Sequence, residues 1–315
     1  MTLSIIVLLV TQVLLPVAII VGLWRGSVAG KRPSRASWLV GVLGSGAFIS
    51  YFLLTGRWDW VSYYLRGALL VAFVCALYVS FRRTSGDGRV PRWRSPGSPN
   101  GWVSLVSNAA LALFFGALIV LAAQGFGYGN TRAAELSFPL EEGVYYVGQG
   151  GDSPLLNYHN TDRAQRFALD LVKLTAAGTR ASGIYPPEPS RYAVFGAEIR
   201  SPCAGRVGEA VDGRPDLRPP RADSENLAGN HVVVRCAEED VEVLLAHMRE
   251  GSVAVEQGER VEEGGLLGRV GNSGNTSEPH LHVHAVKTGS GSVLEGEGVP
   301  IVFDGRFPVR NGLVY

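Results

Sequence analysis

GSVAVEQGERVEEGGLLGRVGNSGNTSEPHLHVHA, from Gly251 to Ala285, sets how the rest of the chain is read. Its first part brackets short apolar runs with glycines at tight spacing, which suits narrow hairpins whose turns need positive φ. Its end changes character. His280, His282 and His284 occupy every second position, and side chains along a strand alternate faces, so all three project from one side. Residues two apart are ~6.6 Å apart along a strand. One imidazole could therefore hold a metal while its neighbour touches a substrate bound to that metal. The plainer alternative is a strand with an exposed polar face.

Working outward, the stretch belongs to a half-chain of one kind. Tyr145–Gly148, Phe167–Val172, Gly205–Ala210, His231–Arg235 and Val241–His247 run apolar or alternate at strand length. Gly, Pro, Asn and Asp punctuate them, as in an antiparallel β domain. No helix-period stretch of useful length appears. Pro186, Pro187 and Pro189 mark an exposed insertion, and Arg214 to Asn226 marks another. All six histidines of the chain fall in this half. Asp170 sits inside the apolar run FALDLV, where burial without a partner is costly; a metal ion is one such partner, and an edge position facing water is the other reading. His159 lies eleven residues earlier, and His247 ends the apolar run of VLLAHM. Two imidazoles and a carboxylate form a nitrogen–oxygen set of the kind that holds catalytic zinc with a position open, unlike a closed thiolate site. His231, after Gly229–Asn230, reads as structural. Cys203 and Cys236 allow either a disulfide or two buried thiols.

Before residue 127 the sequence is different. Leu3–Leu23, Trp38–Leu54, Trp60–Phe81 and Trp102–Phe126 are apolar and near the ~20 residues a bilayer crossing takes. Only Arg66, near the start of the third, is charged, and it can snorkel to the headgroups. Arg25, Lys31, Arg32 and Arg35 follow the first stretch; Arg82, Arg83, Arg89, Arg92 and Arg94, opposed by Asp87 alone, follow the third. Positive loops stay cytoplasmic, so both termini are expected outside, with 1–126 a four-span lipid-bilayer anchor and 127–315 an extracytoplasmic domain. A cleaved signal peptide would carry its positive charge before the apolar stretch. The formal charge of +1 gives no reason to expect nucleic acid as a partner.

The opening stretch resembles the closing half of the M23 family, the lysostaphin/LytM-type peptidases. LLAHM is similar to the family's preceding histidine-bearing strand, and SPCAGRVGEAV to its AP-x-x-G-x-V strand. The likeness runs from about Phe138 to the end. It implies an antiparallel sheet of the duplicated-hybrid-motif kind and a zinc endopeptidase acting on cell-wall peptides at a bacterial plasma membrane. It further implies that Asp170 and His282 are zinc ligands, and that His247 and His280 are catalytic without ligating. The family usually places its first ligand four residues before the aspartate. Arg166, which cannot ligate zinc, stands there, so His159 is taken as the third ligand, arriving from a loop as in a variant subgroup. His284 has no family role and is expected beside the ligands, touching one of them. The competing reading is a non-hydrolytic module that binds wall peptides or a partner. A biotinyl- or lipoyl-like carrier is excluded, because Gly251–Asn275 contains no lysine to modify.

Overall fold

The computed structural model describes residues 2–25, 35–84 and 99–315. Lys31, Arg32, Asp87, Arg89, Arg92 and Arg94, on which much of the loop-charge reading rests, lie outside the described residues. The chain divides into two compact units, Met1–Arg57 with Tyr63–Ala123, and Trp58–Ser62 with Gln124–Tyr315.

The first unit is helical. Helices α1 (Thr2–Leu9) and α2 (Leu15–Arg25) are joined by a π-helical turn, and α3 (Arg35–Thr55), α4 (Tyr63–Thr84) and α5 (Pro99–Ala123) follow. Among the described residues four stretches, Leu3–Arg25, Ala36–Thr55, Tyr63–Arg83 and Gly101–Phe126, are long and apolar enough to cross a membrane. Their large apolar side chains, Leu3, Val71, Val103 and Leu113 among them, are mostly exposed, as suits helices whose solvent is lipid. Helix α3 packs on α5 at Gly44, where a Cβ would lie 2.6 Å from the Asn108 carbonyl oxygen. Arg66 turns its Nε to the Leu53 carbonyl at 2.8 Å, satisfying a group that the end of α3 leaves open. The third apolar helix starts at Tyr63 rather than Trp60. Trp58–Trp60 instead form a 3₁₀ turn with Trp58 and Asp59 buried, and belong to the second unit.

The second unit is built on strands β1 (Ala134–Glu135), β2 (Tyr145–Gln149), β3 (Leu169–Lys173), β4 (Glu198–Arg200), β5 (Gly205–Val211), β6 (Asn230–Cys236), β7 (Val241–Met248), β8 (Arg260–Val261), β9 (Leu266–Arg269), β10 (Leu281–Lys287), β11 (Gly298–Val299), β12 (Ile301–Val302) and β13 (Leu313–Val314). The main sheet runs β13-β2-β3-β10-β7-β6-β5-β8, with β11 also on β10. Every pairing in it is antiparallel. Alternation fixes its faces. Leu169 and Leu171 of β3, Val243 and Leu245 of β7, and Leu281, Val283 and Ala285 of β10 enter the apolar core. Asp170, His282 and His284 therefore stand on the opposite face. The insertion around Pro186 is not wholly exposed: Pro186 is buried and its carbonyl accepts from the Tyr192 hydroxyl. Cys203 and Cys236 form a disulfide with Cα atoms 5.7 Å apart.

Candidate metal centre

Register brings the site together. Strand β10 lies between β3 and β7, and His282 is directly opposite Asp170 on one side and Ala246 on the other. His247, one residue on, is held at φ +63°, a region that residues other than glycine seldom adopt. Its backbone N–H donates to the Ala228 carbonyl and its own carbonyl accepts from Gly271 N–H, both at 3.0 Å. This conformation, with an order-of-magnitude penalty of about 1–3 kcal/mol, turns the ring onto His280, with centroids 4.9 Å apart.

His159 reaches the same place from outside the sheet. It sits on the 3₁₀ turn Tyr158–Thr161, whose N-cap is Asn157. The Asn157 side chain accepts from His159 N–H and donates to the Gly151, Arg166 and Ala168 carbonyls, tying that turn to the approach of β3. His159 Nε2 then lies 3.2 and 3.3 Å from the two Asp170 oxygens. Arg166, at the family's usual ligand position, points elsewhere and makes a two-pronged ion pair with Asp152 at 2.8 and 2.9 Å.

Asp170 is buried and three imidazole nitrogens converge on its Oδ1: His282 Nδ1 at 3.0 Å, His159 Nε2 at 3.2 Å and His280 Nε2 at 3.5 Å. Burial would raise its pKa, but His159 and His280 hold the carboxyl well below its usual range. The protons can be traced from the far end. His284 Nε2 is 2.8 Å from the Val293 carbonyl, which only accepts, so that nitrogen carries the hydrogen. Burial, then the neighbouring His282, pushes the His284 pKa down to about 3, so the ring is neutral and its Nδ1 accepts. His282 Nε2, 3.0 Å away, must be the donor. Burial pushes His282 down to about 4, which leaves its Nδ1 with a lone pair aimed at an ionised carboxylate oxygen. Two lone pairs facing each other at this distance call for a cation between them, so the donor set fits a metal ion.

The other two histidines are oriented the same way. His280 Nδ1 donates to the Glu278 carbonyl at 2.8 Å and His247 Nδ1 to the Ser273 carbonyl at 2.9 Å. Each Nε2 is thereby left as the group turned toward the cluster. Burial, then His280 and His282, hold the His247 pKa well below the imidazole range. Burial works against charge on His280 too, but Asp170 outweighs it and the pKa is raised. Among the described residues two sets of potential ligands have atoms within 4.8 Å of one another, His159–Asp170–His282 and His247–His280–His282. His231 is in neither; its Nδ1 bonds the Gly229 carbonyl at 2.9 Å. A cleft of about 270 Å³ opens beside the cluster, lined by Tyr158, His159, Asn275, His247 and His282. Asn157, Ser273 and Val293, which orient these rings, had no assigned part in the sequence reading. Of these only Asn157, two residues before a histidine, carries a sequence signal, that of an Asx turn.

Residues 191–293, within the second unit, match the model of Peptidase family M23. The matched span holds His247, His280, His282 and His284, whereas His159 and Asp170 precede it. None of the curated proteins matches the chain. Among solved structures the chain is similar to an M23 peptidase from Pseudomonas aeruginosa, at 19% identity over 55% of this chain and 54% of that one, TM-score 0.27. It is also similar to lysostaphin from Staphylococcus simulans, at 20% identity over 36% and 44%, TM-score 0.24, and to Helicobacter pylori Csd3, at 19% over 53% and 32%, TM-score 0.29. The chain thus spans about half or less of the length of each.

Proposed function

We propose that this chain is a membrane-anchored, zinc-dependent endopeptidase that hydrolyses peptide bonds of bacterial cell-wall peptidoglycan, with its β domain and both termini outside the plasma membrane. The observation that carries the reading is the convergence of His159, His282 and His280 nitrogens on the buried Asp170 oxygen. His159, Asp170 and His282 would hold the metal. Zinc, when bound, supplies Lewis acidity toward a scissile carbonyl and lowers the pKa of water. His247 and His280, each with Nδ1–H fixed to a backbone carbonyl, present Nε2 to take a proton from the attacking water and return it to the departing amine. The cleft beside the cluster orients the peptide, and the burial of the rings limits competing water.

The test is the zinc content of the purified full chain and its substitutions. Asp170→Ala, His282→Ala and His159→Ala should each lose the metal. His247→Ala and His280→Ala should keep it while turnover falls ~10²–10⁴-fold. Full zinc and hydrolysis in His159→Ala would make that residue a bystander. An unsubstituted chain with neither zinc nor cleavage would support the second reading, a non-hydrolytic wall-peptide or partner-binding module, for which Arg166 at the usual ligand position is the motivating observation.

A further inference from the structure

The segment Trp58–Ser62 lies between α3 and α4 in the sequence yet belongs to the second unit. Trp58 N–H donates to the Tyr146 hydroxyl at 3.2 Å, and the Ser62 hydroxyl to the Ala177 carbonyl at 2.8 Å. Between them, Asp59 and Trp60 enclose Arg180, whose side chain is 1% exposed. The Asp59 carbonyl accepts from Arg180 N–H at 2.9 Å, and its carboxylate lies 3.8 Å from Arg180 Nε. The Trp60 ring lies under the guanidinium at 4.1 Å and against the Tyr185 ring at 5.2 Å. A guanidinium this deeply buried is held by compensating charge and aromatic faces.

Arg180 and Tyr185 then act on one turn. Arg180 Nε donates to Glu278 Oε2 at 2.6 Å, and the Tyr185 hydroxyl donates to the Ser277 carbonyl at 2.7 Å. Both grips fall just before His280, whose Nδ1 donates to the carbonyl of the same Glu278. Thr276 Oγ1 donates to that carbonyl as well, at 2.8 Å. We propose that Asp59 and Trp60 are positioning residues for His280, acting through Arg180 and Tyr185 on the Thr276–Glu278 turn. The loop joining two apolar helices is thus a working part of the site. This rests on the reading that His280 acts on substrate; the placement of the turn does not.

The experiment uses the full chain in detergent with Asp59→Asn, Asp59→Glu, Trp60→Ala and Tyr185→Phe. Hydrogen exchange of the Thr276–Leu281 amides is read together with zinc content and the steady-state constants on wall peptide. Asp59→Asn and Trp60→Ala should raise exchange in that turn, keep zinc, and lower kcat about 10–100-fold with KM little changed, as a displaced catalytic group does. Asp59→Glu should recover part of the loss. Tyr185→Phe deletes a single hydroxyl and should reproduce the effect in milder form if the larger substitutions unfold the unit. Wild-type exchange at Thr276–Leu281 in Tyr185→Phe and in every Asp59 and Trp60 variant that folds would overturn the proposal. If the unsubstituted chain cleaves nothing, the function reading fails, and the exchange data still decide the coupling.

Discussion

Three imidazole nitrogens surround Asp170 Oδ1, and His284 is the reason that one of them, His282 Nδ1, has no hydrogen to give it. By accepting from His282 Nε2, His284 keeps the hydrogen off His282 Nδ1, the atom 3.0 Å from Asp170. His284→Phe should leave that N–H buried without an acceptor and free the ring to turn. Loss of such an outer partner commonly weakens metal affinity ~10–100-fold, so competition with a chromophoric chelator should show a shift of that size. An unchanged zinc affinity would remove His284 from the account. The alternating histidines and the lone acid in FALDLV made most of the cluster legible in the sequence, because strand periodicity alone puts them on one face. His159 was legible as a candidate beside Asp170, but its place as the third ligand came only through a family resemblance. Its arrival depends on a 3₁₀ turn capped by Asn157, whose Asx-turn signal is local but does not say where the turn docks, and on Asp152 drawing Arg166 away, a side-chain pairing that no local pattern carries.

Two turns back to back hold His247 in its unusual conformation. Gly229 has φ +61°, and a Cβ there would sit 2.3 Å from the Ser273 carbonyl oxygen, the acceptor for His247 Nδ1. Gly229→Ala should therefore push that carbonyl away. The expected outcome is a loss of more than about 1 kcal/mol in stability, retained zinc, and reduced turnover, read by denaturant melts, metal content and peptide cleavage. Unaltered turnover would show that the Ser273 contact does not orient the ring. The strands themselves were readable from alternation, and β7 and β10 lie where the apolar runs place them. The start of the third apolar helix was not. Trp60 continues the apolar run in sequence, but its ring finds Arg180 and Tyr185, which are more than a hundred residues away.

At the scale of the whole chain, four helices suited to lipid precede a β domain, and the side of the membrane on which that domain lies decides whether cell-wall peptide is within reach. The proposed orientation, with both termini outside, takes the basic residues after the first and third apolar stretches as cytoplasmic. A reporter fused after Tyr315 should then be active only outside, and one inserted near Arg89 only inside. A C-terminal reporter active in the cytoplasm would refute this orientation. The central claim, zinc-dependent hydrolysis by the His159–Asp170–His282 cluster, is tested most directly by counting amino groups released from purified peptidoglycan by the full chain in detergent. New amino groups should appear, stop when a chelator removes the metal, return with one equivalent of zinc, and stay absent in His282→Ala. A chain that holds one zinc and releases no amino groups from peptidoglycan would contradict it.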